Sequence, residues 1–82
     1  MTITTTQNLD LYKTFEVETD TVKFNLYFAN DLVPTLVFDL VLFTGATART
    51  VFQGEDVFNQ AINNFKRNDI KNALRAVLCE MV

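Results

Sequence analysis

Histidine is absent from this 82-residue chain, and cysteine occurs once, as Cys79. The first absence removes the commonest general base and the commonest metal ligand, so hydrolytic triads, histidine-based zinc sites and thiol-imidazole pairs are excluded. The second rules out an intramolecular disulfide and the staples on which small secreted domains rely, and makes a reducing, cytoplasmic setting the expectation. Cys79 sits one position from an apolar helical stripe, where a small buried or half-buried side chain is expected.

Long apolar runs are lacking as well. The longest, residues 32–43, is broken by Pro34 and Asp39 and falls short of the roughly 20 residues a membrane helix needs. The opening Met-Thr-Ile-Thr-Thr-Thr-Gln-Asn has neither the basic nor the apolar part of a signal peptide. A soluble protein without membrane contact is expected. Positive charge is sparse and late: up to Ala48 six acids face two bases, a balance of −4, and from Arg49 onward five bases face four acids, +1, which together make the net −3. So weak a field does not point to nucleic acid.

What is present is apolar surface. Nearly half the residues are hydrophobic and eight are Phe, which excludes disorder and requires a packed core. A chain of this size buries somewhat more than roughly 60% of the surface its unfolded form exposes, and so makes one domain. We assign that domain to residues 9–82, preceded by residues 1–8 as an N-terminal tail or short edge strand.

Residues 36–43, Leu-Val-Phe-Asp-Leu-Val-Leu-Phe, are apolar everywhere except Asp39, which is how a strand covered on both faces reads. Two strands precede it. From Leu9, alternation puts Leu9, Leu11, Phe15 and Val17 on one face, with Lys13 on that same face either snorkelling at the sheet edge or re-aimed by a bulge. Over residues 21–29, Val22, Phe24, Leu26 and Phe28 alternate with Thr21, Lys23, Asn25 and Tyr27. A tight turn at Thr19 and Asp20 pairs these two strands with Phe15 opposite Phe24, Glu16 opposite Lys23 and Tyr12 opposite Tyr27.

Asn30, Asp31 and Pro34 mark the next turn. Apolar matching then sets Phe24 against Leu40, Leu26 against Phe38 and Asp39 against Asn25, with Leu36, Phe38, Leu40 and Leu42 in the core. After Gly45 two continuations compete. Residues 47–52 form a short edge strand with Ala48, Thr50 and Phe52 inward and Arg49 near Asp39, or Thr50 and Gln53 cap a helix from Val51; the strand is favoured.

From Glu55 the period becomes helical. Phe58, Ala61, Ile62 and Phe65 make one stripe, and Ile70, Ala73, Leu74, Val77, Leu78 and Met81 a second. At about 100° per residue the stripes are rotated by roughly 130°, so one straight helix cannot turn both to one sheet. A break with an N-cap at Asn68-Asp69 resolves the conflict, and one long helix serving two partners is the alternative. The expected fold is α+β: an antiparallel meander of three or four strands with two C-terminal helices packed on one face.

No motif for catalysis, a cofactor or a metal stands out, so no catalytic residue, cofactor, metal or small-molecule substrate is assigned. Two helices cover one side of such a sheet but not both, which leaves Tyr12, Tyr27, Val37, Asp39, Val41 and Phe43 on an outer face suited to a protein partner or a homodimer. Asp39 is expected to pair with Lys23 or Arg49 there. The alternative is a nucleic-acid regulator using Arg67, Lys71 and Arg75, which a helix would align. The acids Glu16, Glu18, Asp20 and Asp31 lack the spacing of a calcium loop and could instead face a basic cleft in another protein. The functional expectation is a small, acidic, non-enzymatic protein-binding module. Its size and composition are analogous to those of phage or mobile-element proteins that inhibit or adapt a host machine.

Overall fold

The computed structural model describes residues 1–81. Five strands of seven residues each precede two helices: β1 Thr2–Asn8, β2 Tyr12–Glu18, β3 Lys23–Ala29, β4 Thr35–Val41, β5 Thr47–Gln53, α1 Val57–Asn64 and α2 Asn68–Met81. The strands form one antiparallel meander in chain order, with β1 and β5 at the edges. The α+β class is as expected, but the sheet has five strands, where three or four were anticipated.

The additional strand is β1. Its Thr-rich sequence carries no apolar alternation because only Ile3 turns appreciably inward. A strand that buries one side chain gives no amphipathic signal, whereas the free edge of β2 offers it a full ladder, from Thr2 opposite Glu18 to Asn8 opposite Lys13, with a bulge between Thr5 and Gln7. Lys13 keeps its inward parity and resolves the conflict at its tip: its Nζ donates to Asn8 Oδ1 at 2.9 Å and to the Leu9 carbonyl at 3.1 Å.

Leu9 and Leu11 correct a second expectation. The chain has turned out of the sheet there, with the Leu9 N–H donating to the Tyr12 carbonyl, and both side chains are exposed. The β2–β3 register is also two residues away from the expected one. Phe15 lies opposite Leu26, Val17 opposite Phe24, Glu16 opposite Asn25, Glu18 opposite Lys23 and Tyr12 opposite Ala29. The reason is the loop: Thr19 to Val22 form a four-residue turn in which the Thr19 hydroxyl accepts the N–H groups of Thr21 and Val22. A slip of two preserves which side chains face inward, so the core is unchanged.

Elsewhere the expected pairings are present. Phe24 faces Leu40, Leu26 faces Phe38 and Asn25 faces Asp39, and β5 lies against β4 with Arg49 opposite Asp39. β5 thereby displaces the alternative helix start at Val51.

The core lies between one face of the sheet and the helices. Phe24, Leu26, Leu36 and Phe38 from the sheet, and Ala61, Leu74 and Val77 from the helices, are essentially inaccessible. Leu40 is only partly buried and Leu42 is exposed, because β4 ends at Val41. The helix break comes at Phe65–Arg67, and the Arg67 carbonyl accepts the first bond of α2 from the Lys71 N–H at 3.1 Å. Phe65 itself is extended and turns its ring onto Phe38, with centroids 4.6 Å apart. Asp69 is therefore in the first turn of α2, where its carboxylate accepts the Ile70 N–H and the hydroxyl of Thr21, 2.7 Å away on the β2–β3 loop.

Candidate functional site: the uncovered sheet face

Alternation aims half of each strand away from the helices. Both helices pack against the core face, and β1 continues the sheet without folding over it, so among the described residues nothing crosses the outer face. Its side chains fall into cross-strand rows. One runs Gln7, Thr14, Tyr27, Val37, Val51, and the row beside it runs Thr4, Glu16, Asn25, Asp39, Arg49.

The first row is apolar and aromatic through its middle. Tyr27 and Val51 are 40% and 52% exposed, Val37 is half-buried, and Tyr12, on the diagonal from Tyr27, is 44% exposed. Tyr12, Thr14, Tyr27 and Val37 line a cleft of about 240 Å³. Val41 is half-buried on the same face.

Phe43 is placed differently from expectation. It lies beyond the end of β4 in a turn closed by bonds between Leu42 and Ala46 and between Gly45 and Leu42, where Gly45 supplies a positive φ of 88°. Fully exposed, it lines a shallow groove of about 500 Å³ with Lys23, Val41 and Arg67 at that end of the sheet.

The second row is anchored by an ion pair. Asp39 is 4% exposed and is the one buried charged residue among those described. Arg49 grips it with two bonds, Nε to Oδ1 and Nη2 to Oδ2, each 2.8 Å. These bonds hold the Asp39 carboxyl below the usual carboxylate range against the opposing pull of burial, and Asp39 in turn raises Arg49. A carboxylate locked in its ionised form cannot serve as a general acid near neutral pH, so the central charge of β4 organises the face.

Arg49 and Val51 were not among the expected face residues. The alternation of β5 carries their signal: Phe52 is buried and Thr50 half-buried on the core side, Ala48 shares their parity but is exposed at the sheet edge, and the residues between them point outward.

At the end of the sheet where β1 joins β2 and β3 joins β4, the exposure continues. The Asn30 N–H bonds the Leu11 carbonyl at 2.7 Å and brings the two loops together. Leu9, Leu11, Val33 and Leu32, the last 97% exposed, stand at this tip.

The remaining candidates are dispersed. Asp20 and Asp31 lie on loops at opposite ends of β3, so the four acids do not cluster, and among the described residues no group of three or more Asp, Glu or Cys side chains could hold a metal ion. Lys71 and Arg75 share α2, but Arg67 precedes it and its guanidinium is paired with Asp69; Arg75 donates to Asn72 Oδ1 at 3.0 Å. The Arg67 and Thr21 bonds lower the Asp69 carboxyl to about 2. Cys79 is exposed on α2, not buried as expected, because it falls outside the stripe of Ile70, Ala73, Leu74 and Val77.

Compared with known proteins, the chain matches no family model, no curated protein and no solved structure. No described helix is long and apolar enough to cross a membrane.

Proposed function

We propose that this protein is a non-enzymatic binding module whose outer sheet face docks another protein surface. The observation that carries this is the open row Tyr27, Val37, Val51 with the neighbouring Tyr12 cleft. Such apolar and aromatic surface, rimmed by Glu16, Asn25 and Arg49, has the anatomy of a contact patch, with an apolar centre and a polar margin. Burying two tyrosines and two valines would remove exposed apolar area from water while leaving the Asp39–Arg49 pair at the rim. Small size and an acidic balance support the narrower reading of an inhibitor or adaptor of a larger machine.

Val37→Lys tests this, because it puts a charge in the middle of the patch while leaving the core face untouched. Association is measured with the protein itself by sedimentation, and with other proteins by affinity capture and mass spectrometry. The wild-type chain is expected to make at least one association that Val37→Lys abolishes and Arg75→Ala, on the helix side, retains. A wild-type chain that stays monomeric at millimolar concentration, with a captured set unchanged by Val37→Lys, refutes the proposal. Retention of nucleic-acid probes at low salt, weakening steeply as salt rises and lost on replacing Lys71 and Arg75, would replace it with a phosphate-binding role for the helix side.

A further inference from the structure

Resting on that reading, we infer that the occupant of the outer face is a second copy of this chain, stacked sheet to sheet about a two-fold axis that runs along the strands between β3 and β4. Isologous pairing requires that the face be complementary to itself, and its charges select among the ways this can be done. An axis across the strands either falls between the rows and lays the charged row over the tyrosine row, or falls on the tyrosine row and sets Glu16 against Tyr12 and Arg49 against Gln53, with no opposite charge for either. An axis along β3 superposes Lys23 on Lys23 and Glu16 on Asp39 of the other copy, both like-charged.

Moving the axis to the gap between β3 and β4 removes both conflicts. Tyr27 then faces Val37 of the other copy, Thr14 faces Val51, Asn25 faces Asp39, and Glu16 faces Arg49, each contact made twice. An axis between β2 and β3 also avoids like charges, but it leaves Val51 and Arg49 uncovered.

The Glu16–Arg49 contact fits what each side chain lacks. Arg49 spends Nε and Nη2 on Asp39, which leaves Nη1 for a further acceptor. Glu16 is exposed and lies between Thr4 and Asn25, with no cation opposite it on either neighbouring strand.

The size of the patch sets the strength. Four strands about 4.8 Å apart and seven residues long cover roughly 19 by 24 Å, or about 450 Å² of plan area per copy. The total of about 900 Å² is below the ~1,200 Å² at which stable specific interfaces begin, so the dimer is weak and reversible. Because the axis follows the strands, the Leu9, Leu11, Leu32 and Val33 tips of both copies emerge at the same end, free for a different partner.

Sedimentation velocity from micromolar to millimolar concentration is expected to show a monomer–dimer equilibrium that Val37→Lys shifts to monomer and Glu16→Arg weakens, both variants keeping the wild-type circular dichroism and melting temperature. The register is read in a Cys79→Ser background with a thiol crosslinker about as long as the ~10 Å sheet spacing. Thr14→Cys mixed with Val51→Cys is expected to crosslink, whereas neither crosslinks with itself, because like positions are three strand spacings aside, roughly 17 Å apart. A wild-type monomer at every concentration, a dimer indifferent to Val37→Lys, or self-crosslinking of Thr14→Cys each overturns the inference. If the chain is monomeric but Val37→Lys still abolishes capture of another protein, the second copy alone is refuted and the binding module stands.

Discussion

Phe65 lies in the three-residue break between the helices, and whether its ring holds the helices on one side of the sheet can be measured. Its centroid is 4.6 Å from that of Phe38, with the planes tilted by 45°, and Phe38 is 1% exposed in the middle of β4. At roughly 0.05–0.15 kcal/mol per residue, a chain of 82 residues has about 4–12 kcal/mol of stability. Phe38→Ala would remove about 3–5 kcal/mol of it, enough to risk unfolding the chain.

Leucine is the better probe, because it keeps most of the volume and limits each single cost to about 1.5 kcal/mol. In a double-mutant cycle, Phe38→Leu and Phe65→Leu should be coupled by about 0.5–1.5 kcal/mol, the part of a ring–ring contact that area burial does not supply. Urea unfolding of the wild type, both singles and the double gives this figure. The control pairs Phe38→Leu with Phe58→Leu, whose ring stacks edge-on against Phe28, and should be additive within about 0.3–0.5 kcal/mol. Additivity of Phe38→Leu with Phe65→Leu within the same limits would refute the claim that the connector's ring fixes the helices to this face.

Arg49→Met should destabilise the chain near neutral pH by stranding the Asp39 carboxylate, and Asp39→Asn added to it should restore much of the loss, as thermal melts would show. Asp39 and Asp69 both titrate below their ordinary value of 3.8 in the folded chain, Asp69 at about 2. Their contribution is complete above the unfolded value and is lost as pH falls through the folded ones. Melting temperature should therefore drop below about pH 4, and less so in Asp69→Asn. Gly54 has φ +107°, and a Cβ there would meet only Gln60 Nε2 at an ordinary 3.6 Å. Gly54→Ala should thus cost about 1–3 kcal/mol in denaturant titration through backbone strain alone, and a neutral result would show that the β5–α1 turn relaxes.

The chain's own alphabet determined a good deal. Period-two alternation named the inward residues of β2 to β5, because facing depends on parity and survives even the two-residue slip between β2 and β3. The mismatch between the two helical stripes required a break, since one rigid helix has one phase. Apolar matching set the β3–β4 register, and a tight loop at Thr44-Gly45 that folds residues 47–52 back as a strand brought Arg49 near Asp39.

The decisions left to tertiary structure all depend on contacts distant in sequence. β1 exists because β2 has an open edge to pair with, a property of the assembled sheet and not of Thr-rich residues. Leu9, Leu11 and Phe43 carry the right parity but lie where the strands have already ended, so turn hydrogen bonds override their pattern. Asp69, in the first turn of α2, binds Thr21 from a loop 48 residues earlier. That one face of the sheet stays open follows from where the helices and β1 come to rest: residue order specifies which side chains share a face, and only packing specifies which face is covered.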